Sequence, residues 1–220
     1  MPVPVIFDLD GTLVDSAPDI GRIGSVVLAA EGAAPLTLEE TRRFVGAGAA
    51  IFVRRMSVAR GLPLDEATQA RLLAAFLDLY EGAVDLTVPM PGAVDALARL
   101  QAAGHPLGVC TNKPEAPARA LLAHLDLARF FGCVVGGDTL PVRKPDPAPL
   151  ARVVQARGGG PALYVGDSEI DAEAAARAGL PFALYTEGYR RAPLSELPHD
   201  HVFDHFDRLP GLLTTTSRSA

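Results

Sequence analysis

The chain has 220 residues, 49% hydrophobic and 21% charged, with a formal net charge of −6 at neutral pH. That composition supports a packed core, as one domain or as a core carrying a smaller insert. No block of Lys or Arg supplies a nucleic-acid footprint, and no apolar run is long enough to span a bilayer, so neither partner is expected.

Val3 to Phe7 is almost continuously apolar and rich in β-branched residues, the pattern of a strand buried on both faces. It breaks into Asp8, a spacer and Asp10, and then Gly11-Thr12 at a tight turn. From Ser16 to about Val84 the pattern is helical. A first helix through Asp19 to Leu28 stops at Glu31-Gly32. Thr37-Leu38-Glu39-Glu40 opens a second as a capping box. A third runs from Ala49 to Arg60 after Gly46-Ala47-Gly48, and an amphipathic fourth from Leu64 to Tyr80. Residues 17–87 read as a helical bundle inserted after the first strand.

Pro89-Met90-Pro91-Gly92 is a linker back to βα alternation. Helix Ala93 to Ala103 leads to strand Pro106 to Thr111, and helix Pro114 to Leu127 to strand Gly132 to Val135. Helix Pro145 to Arg157 then leads to strand Ala162 to Val165. Helix Ile170 to Ala178, with Gly179 as its C-cap, precedes a last strand, Phe182 to Tyr185. The alternation predicts an α/β fold, a parallel doubly wound sheet built from residues 1–16 and 88–220. Thr214 to Ala220 reads as a disordered polar tail. Cys110 and Cys133 lie in apolar runs and read as buried free thiols of a reducing compartment. With no leader ahead of Val3, the expected location is cytoplasmic.

Chemistry-capable residues gather at strand ends, where open α/β sheets bind ligands. Asp8 and Asp10 repel each other, and a divalent cation would relieve the repulsion. Taken alone, the pair suits a polar strand end before a capped helix equally well. Thr111-Asn112-Lys113 offers a hydroxyl and helix-start N–H groups to a phosphate oxygen, although Thr111 by itself reads first as an N-cap. Lys144 lies in Arg143-Lys144-Pro145-Asp146-Pro147, whose prolines stiffen its approach. Gly166-Asp167-Ser168-Glu169-Ile170-Asp171 adds acids at a helix start, which is also a common decoration.

In this order the motifs Asp8-Leu9-Asp10-Gly11-Thr12, Thr111, Lys144 and Gly166-Asp167-Ser168 with Asp171 resemble those of the haloacid dehalogenase-like phosphohydrolases, over nearly the whole chain. The runs Cys110 to Pro114 and Gly137 to Pro147 are most similar to the phosphoglycolate phosphatase branch. The resemblance implies a Rossmann-like core with the helical insert as a cap. It implies a Mg²⁺-dependent phosphatase of a small phosphorylated acid, with 2-phosphoglycolate giving glycolate and phosphate. Asp8 would be the nucleophile, forming an aspartyl phosphate, and Asp10 the general acid and then base. Asp8, Asp167 and the backbone carbonyl of Asp10 would hold Mg²⁺. Thr111, Asn112 and Lys144 would bind the substrate, and Asp171 would orient Lys144 or a metal-bound water. A monomer or homodimer is expected.

The insert should choose the substrate. The Gly46 to Ala50 turn offers N–H groups, and Arg55, with Arg54 beside it, is the candidate partner of a substrate carboxylate, against the plainer reading of solvated arginines. Gly46-Ala47-Gly48 is a poor dinucleotide fingerprint, because Ile51 replaces the third Gly. His199, His201 and His205 read as exposed. A sugar phosphomutase is the nearest alternative, but Ile20 stands where that branch carries a His. A dehalogenase would lack Asp10. A phospho-accepting regulatory module fits the acids and Lys144 but has no use for the insert.

Overall fold

Val5, Ile6 and Phe7 are fully buried and form β1 (Val5–Phe7), the middle of the molecule. The computed structural model describes residues 2–216. After β1 come β2 (Val14–Asp15) and four helices, α1 (Ala17–Ala30), α2 (Leu38–Phe44), α3 (Ala49–Ala59) and α4 (Glu66–Tyr80). β3 (Val88–Pro89) and α5 (Ala93–Ala102) lead to β4 (Leu107–Cys110), α6 (Glu115–His124) and β5 (Cys133–Val135). α7 (Ala148–Ala156), β6 (Leu163–Gly166), α8 (Glu169–Ala178) and β7 (Phe182–Tyr185) follow. β8 (His201–Phe203) and α9 (Leu209–Thr216) complete the series.

The sheet order is β5-β4-β1-β6-β7-β8, and every pairing is parallel. Val5 and Phe7 point to one apolar cluster, with α5, α6 and α9, and Ile6 points to the other, with α7 and α8. This alternation about a strand buried on both sides explains its unbroken apolar run. The chain runs outward from β1 to β5 on one side and then returns to β6 on the other, so the order reverses beside β1. Parallel pairing puts the carboxyl ends of β1, β4 and β6 on one edge of the sheet, beside the crevice this reversal opens.

The insert has its own core. Ile20, Ile23 and Leu28 of α1, Phe52 and Met56 of α3 and Leu72, Phe76 and Tyr80 of α4 form a third cluster. Thr37 and Glu40 form the expected capping box at α2. Phe76 stacks between Phe52 at 5.2 Å and Tyr80 at 4.9 Å and is 1% exposed. Phe76→Ala should therefore cost about 3–5 kcal/mol, the usual range for emptying an aromatic core site. Urea unfolding followed by circular dichroism measures it.

Three stretches differ from the sequence reading. The linker at Pro89 is partly a strand, because β2 and β3 form an antiparallel ribbon, Val14 opposite Pro89 and Asp15 opposite Val88. β8 extends the sheet beyond β7. Its three residues carry too short an apolar run to register as a strand, and His201 lies within it, half-buried. The expected polar tail begins inside α9, which runs to Thr216 and anchors Leu209 and Leu213 in the core. The rest of that stretch lies outside the described residues. Cys110 and Cys133 are both free, the first buried and the second half-buried. No described helix is long and apolar enough to cross a membrane.

Candidate active site

The turn after β1 exists because Gly11 takes φ +85°, where a side chain is strained. A Cβ there would also lie 2.6 Å from Asp167 Oδ2. The missing side chain lets the Asp8–Asp10 turn close against the loop after β6. Asp167 is fixed there by two donors, the Thr12 hydroxyl at 2.7 Å and the Tyr189 N–H at 2.6 Å.

Asp8, Asp167 and Asp171 are all buried, each presenting a carboxylate oxygen, and these oxygens lie within 4.8 Å of one another. Lys144 reaches into the same point. Its ammonium donates to Asp171 Oδ1 at 2.7 Å and to the Tyr164 hydroxyl at 2.8 Å, and lies 2.9 Å from Asp8 Oδ1. Asp8 Oδ1 is buried, and it accepts no hydrogen bond among the described residues. Tyr164 in turn donates to Asp171 Oδ1 at 2.6 Å, and Ser168 to Asp171 Oδ2 at 2.6 Å.

The charges do not balance within this cluster. Burial, reinforced by the Asp171 charge, raises the Asp8 carboxyl to about 7 despite Lys144. Burial together with Asp171 and Asp8 raises Asp167 well above the carboxylate range. Asp171 is held low: burial opposes this, but the Lys144 charge and the donors Lys144, Ser168 and Tyr164 prevail. Lys144 is held above its ordinary value, because Asp171 and Asp8 outweigh its burial. One ammonium thus answers three carboxylates, and one carboxylate oxygen is left over. An all-oxygen donor set with that deficit suits a hard divalent cation.

Asp10 stands apart from the cluster. Its Oδ1 accepts from the Ser16 hydroxyl at 2.6 Å and from Lys113 Nζ at 3.3 Å, so its side chain is not part of the three-acid group. The expected metal contact of Asp10 was through its backbone carbonyl, which leaves the side chain free for proton chemistry. Asp8, Asp10, Thr111, Asn112 and Lys113 line one cavity with Ile20, Val45, Gly46, Gly48, Ala49, Phe52, Phe76 and Tyr80. Core and insert therefore share its walls. Asn112 ties them together, its amide donating to the Gly46 carbonyl and to the Lys144 carbonyl, both at 3.0 Å. Gly48, at φ +91°, caps α3 here, and a Cβ on it would lie 2.7 Å from Arg143 Nη1.

Arg55 does not line this cavity. Its guanidinium donates to the Phe44 carbonyl at 2.7 Å. With Arg43, Arg54 and Arg191 it lines a separate cavity. Helical periodicity placed it on α3 correctly but left open which way that face turns.

The haloacid dehalogenase-like hydrolase family model matches residues 5–179, a span that includes every residue of the cluster. The chain belongs to the haloacid dehalogenase-like hydrolases. It is 50% identical over 210 residues to a phosphoglycolate phosphatase of Cereibacter sphaeroides, covering 95% of this chain and 96% of that one. A phosphoglycolate phosphatase of Rhodospirillum rubrum is 47% identical over 218 residues, covering 95% and 90%. Among solved structures, one described as a predicted phosphoglycolate phosphatase from Haemophilus somnus 129PT superimposes with a TM-score of 0.89. It is 28% identical and covers 96% of this chain and 97% of that one.

Sequence reasoning missed four side chains of this hydrolase's site. In the sequence Lys113 stands only as the end of the Thr111-Asn112-Lys113 motif. Tyr80 ends the predicted amphipathic helix and Tyr164 lies inside the predicted strand Ala162 to Val165, where a ring alone explains its place. Tyr189 donates its hydroxyl to Asp15 Oδ1 at 2.6 Å from a loop with no pattern. For Lys113 a signal existed, since an ammonium one residue past an expected substrate contact rarely lies buried without a charged partner.

Proposed function

We propose that this hydrolase is a Mg²⁺-dependent phosphatase of small phosphorylated acids, with 2-phosphoglycolate as its substrate. The single observation that carries the reading is Asp8. Its Oδ1 is buried and has no hydrogen bond among the described residues, beside Lys144 and two further acids, on the wall of a cavity shared by core and insert. The names of the relatives support the choice of substrate.

Asp8 attacks phosphorus, the bond to the bridging oxygen breaks, and an aspartyl phosphate forms on Asp8. Asp10 protonates the departing oxygen and then takes a proton from the water that releases phosphate. The Ser16 and Lys113 donors fix its orientation for both steps. Thr111, 3% exposed at the end of β4, and Lys144 bind the phosphoryl oxygens and offset their charge. Asp171 positions Lys144. Asp8, Asp167 and the Asp10 carbonyl would hold Mg²⁺, which supplies positive charge at the phosphoryl oxygens and favours ionised Asp8. Residues 17–87 act as the cap, residues 1–16 and 88–220 as the catalytic core, and the β2–β3 ribbon joins them.

Phosphate release from 2-phosphoglycolate, with Mg²⁺ and with chelator, tests the reading. It requires turnover that chelation removes and a preference for the acid over neutral phosphomonoesters. Equal rates on both classes would overturn the substrate. Asp10→Asn should slow the reaction by about 10²-fold or more, the usual general acid–base contribution. The loss should be larger for alkyl than for aryl phosphates, whose leaving groups need less protonation. Equal losses on the two would remove Asp10 from that role.

A further inference from the structure

We propose that Lys113 and Tyr80, one from the core and one from the insert, bind the carboxylate of the substrate and select it over neutral phosphomonoesters. The inference rests on the phosphatase reading above and assigns to this pair the task expected of Arg55. Lys113 is buried, its side chain 2% exposed. Its ammonium donates to Asp10 Oδ1 at 3.3 Å and to the Tyr80 hydroxyl at 3.0 Å, and it lies 4.1 Å from the Tyr80 ring centroid. An ammonium has three N–H donors, so one is left after these two contacts. The Tyr80 hydroxyl accepts from Lys113 and donates to no protein acceptor among the described residues, which leaves a second donor beside the first. Both residues line the cavity, and Lys113 is the cation among its described lining residues.

Asp10 must reach the oxygen that bridges phosphorus and the organic group. In a 2-phosphoglycolate molecule only a methylene carbon separates that oxygen from the carboxylate. A carboxylate held beside Asp10 therefore falls where Lys113 and Tyr80 place their spare donors. Ile20, Phe52 and Phe76 wall the cavity with apolar surface, so a charge-assisted contact there is screened less than in water. Tyr80 belongs to α4 and Lys113 to the segment after β4, so the donor pair exists only while insert and core are apposed. The anionic substrate would thus favour the closed arrangement that the Asn112–Gly46 contact also favours.

The test compares 2-phosphoglycolate with 2-hydroxyethyl phosphate, which carries a neutral hydroxymethyl group in place of the carboxylate. Lys113→Met removes one support of Asp10, so both rates fall, and the informative quantity is the ratio of the two kcat/KM values. Lys113→Met should lower the preference for the acid by about tenfold to a hundredfold, the size of one lost charge-assisted contact. Tyr80→Phe, which keeps the stacked ring, should lower it by roughly twofold to tenfold. Calorimetry on Asp8→Asn gives a readout independent of turnover. Adding Lys113→Met should weaken 2-phosphoglycolate binding and leave inorganic phosphate binding nearly as it was. Equal losses on both substrates, with an unchanged ratio, would overturn this assignment and leave the phosphatase reading intact. A natural chain with no preference for the acid would instead overturn the substrate reading on which it rests.

Discussion

Asp8→Asn is expected to hydrolyse 2-phosphoglycolate on the order of 10⁶-fold more slowly than the natural chain, the scale set by removing a covalent nucleophile in other hydrolases. An amide nitrogen or oxygen at that position cannot form the acyl phosphate. The same substitution should not weaken the fold. Burial, with the Asp171 charge, raises the Asp8 carboxyl to about 7, against an ordinary value of 3.8. A carboxyl raised in the folded state is protonated there at pH values where the unfolded chain has lost the proton. Keeping that proton costs the folded state stability progressively as pH rises from 3.8 to 7, and the deficit persists above 7, where the buried group is ionised. A neutral amide of the same shape removes the deficit. In chelator at pH 8 the Tm of Asp8→Asn should equal or exceed that of the natural chain. Turnover within tenfold of the natural rate would remove Asp8 from the mechanism. A large drop in Tm would mean that Asp8 holds Lys144 in place more than it repels Asp171 and Asp167.

Much of this site was legible because the sheet writes it into the sequence. Asp8, Thr111 and Asp167 each follow a short apolar strand, and parallel pairing carries all three to one edge. The chemistry of each residue type then limits what it can do there. Lys144 has no strand before it, yet the prolines around it mark a segment held in place, and its ammonium reaches Asp171, for which the sequence left Lys144 and a metal-bound water as alternatives. The phase of the insert was not legible. Periodicity shows that α3 has an apolar and a polar side, and Arg55 is on the polar one. Which side faces the core depends on how the β2–β3 ribbon sets the bundle, and two-residue strands leave almost no sequence pattern. Tyr80 and Tyr164 were hidden for a different reason. An apolar ring explains a tyrosine's place in a helix face or a strand, so the hydroxyl draws no notice until its partner is seen.

Lys144→Met should show how far the acid cluster depends on one cation. In the natural chain the ammonium answers Asp171 at 2.7 Å and Asp8 at 2.9 Å, with all three groups buried. Removing one partner of a buried ion pair leaves the other uncompensated, which destabilises by about 3–5 kcal/mol. Loss of its contact with the phosphoryl oxygens should lower turnover by a further order of about 10²–10³-fold. The stability defect should depend on pH. Without Lys144, Asp171 loses the charge that holds it low, and Asp8 rises further, since Lys144 now pulls it down. The folded variant then binds more protons than its unfolded chain near neutrality, so its stability rises as pH falls from 8 to 6. Urea unfolding in chelator at both pH values should therefore show a smaller gap to the natural chain at pH 6. Mg²⁺ should narrow the gap at pH 8, since a cation bound only by the folded state adds its binding free energy to stability. A gap that is the same at both pH values, and unmoved by Mg²⁺, would mean that Lys144 supports the fold through packing rather than charge. The acids would then have to share their protons among themselves.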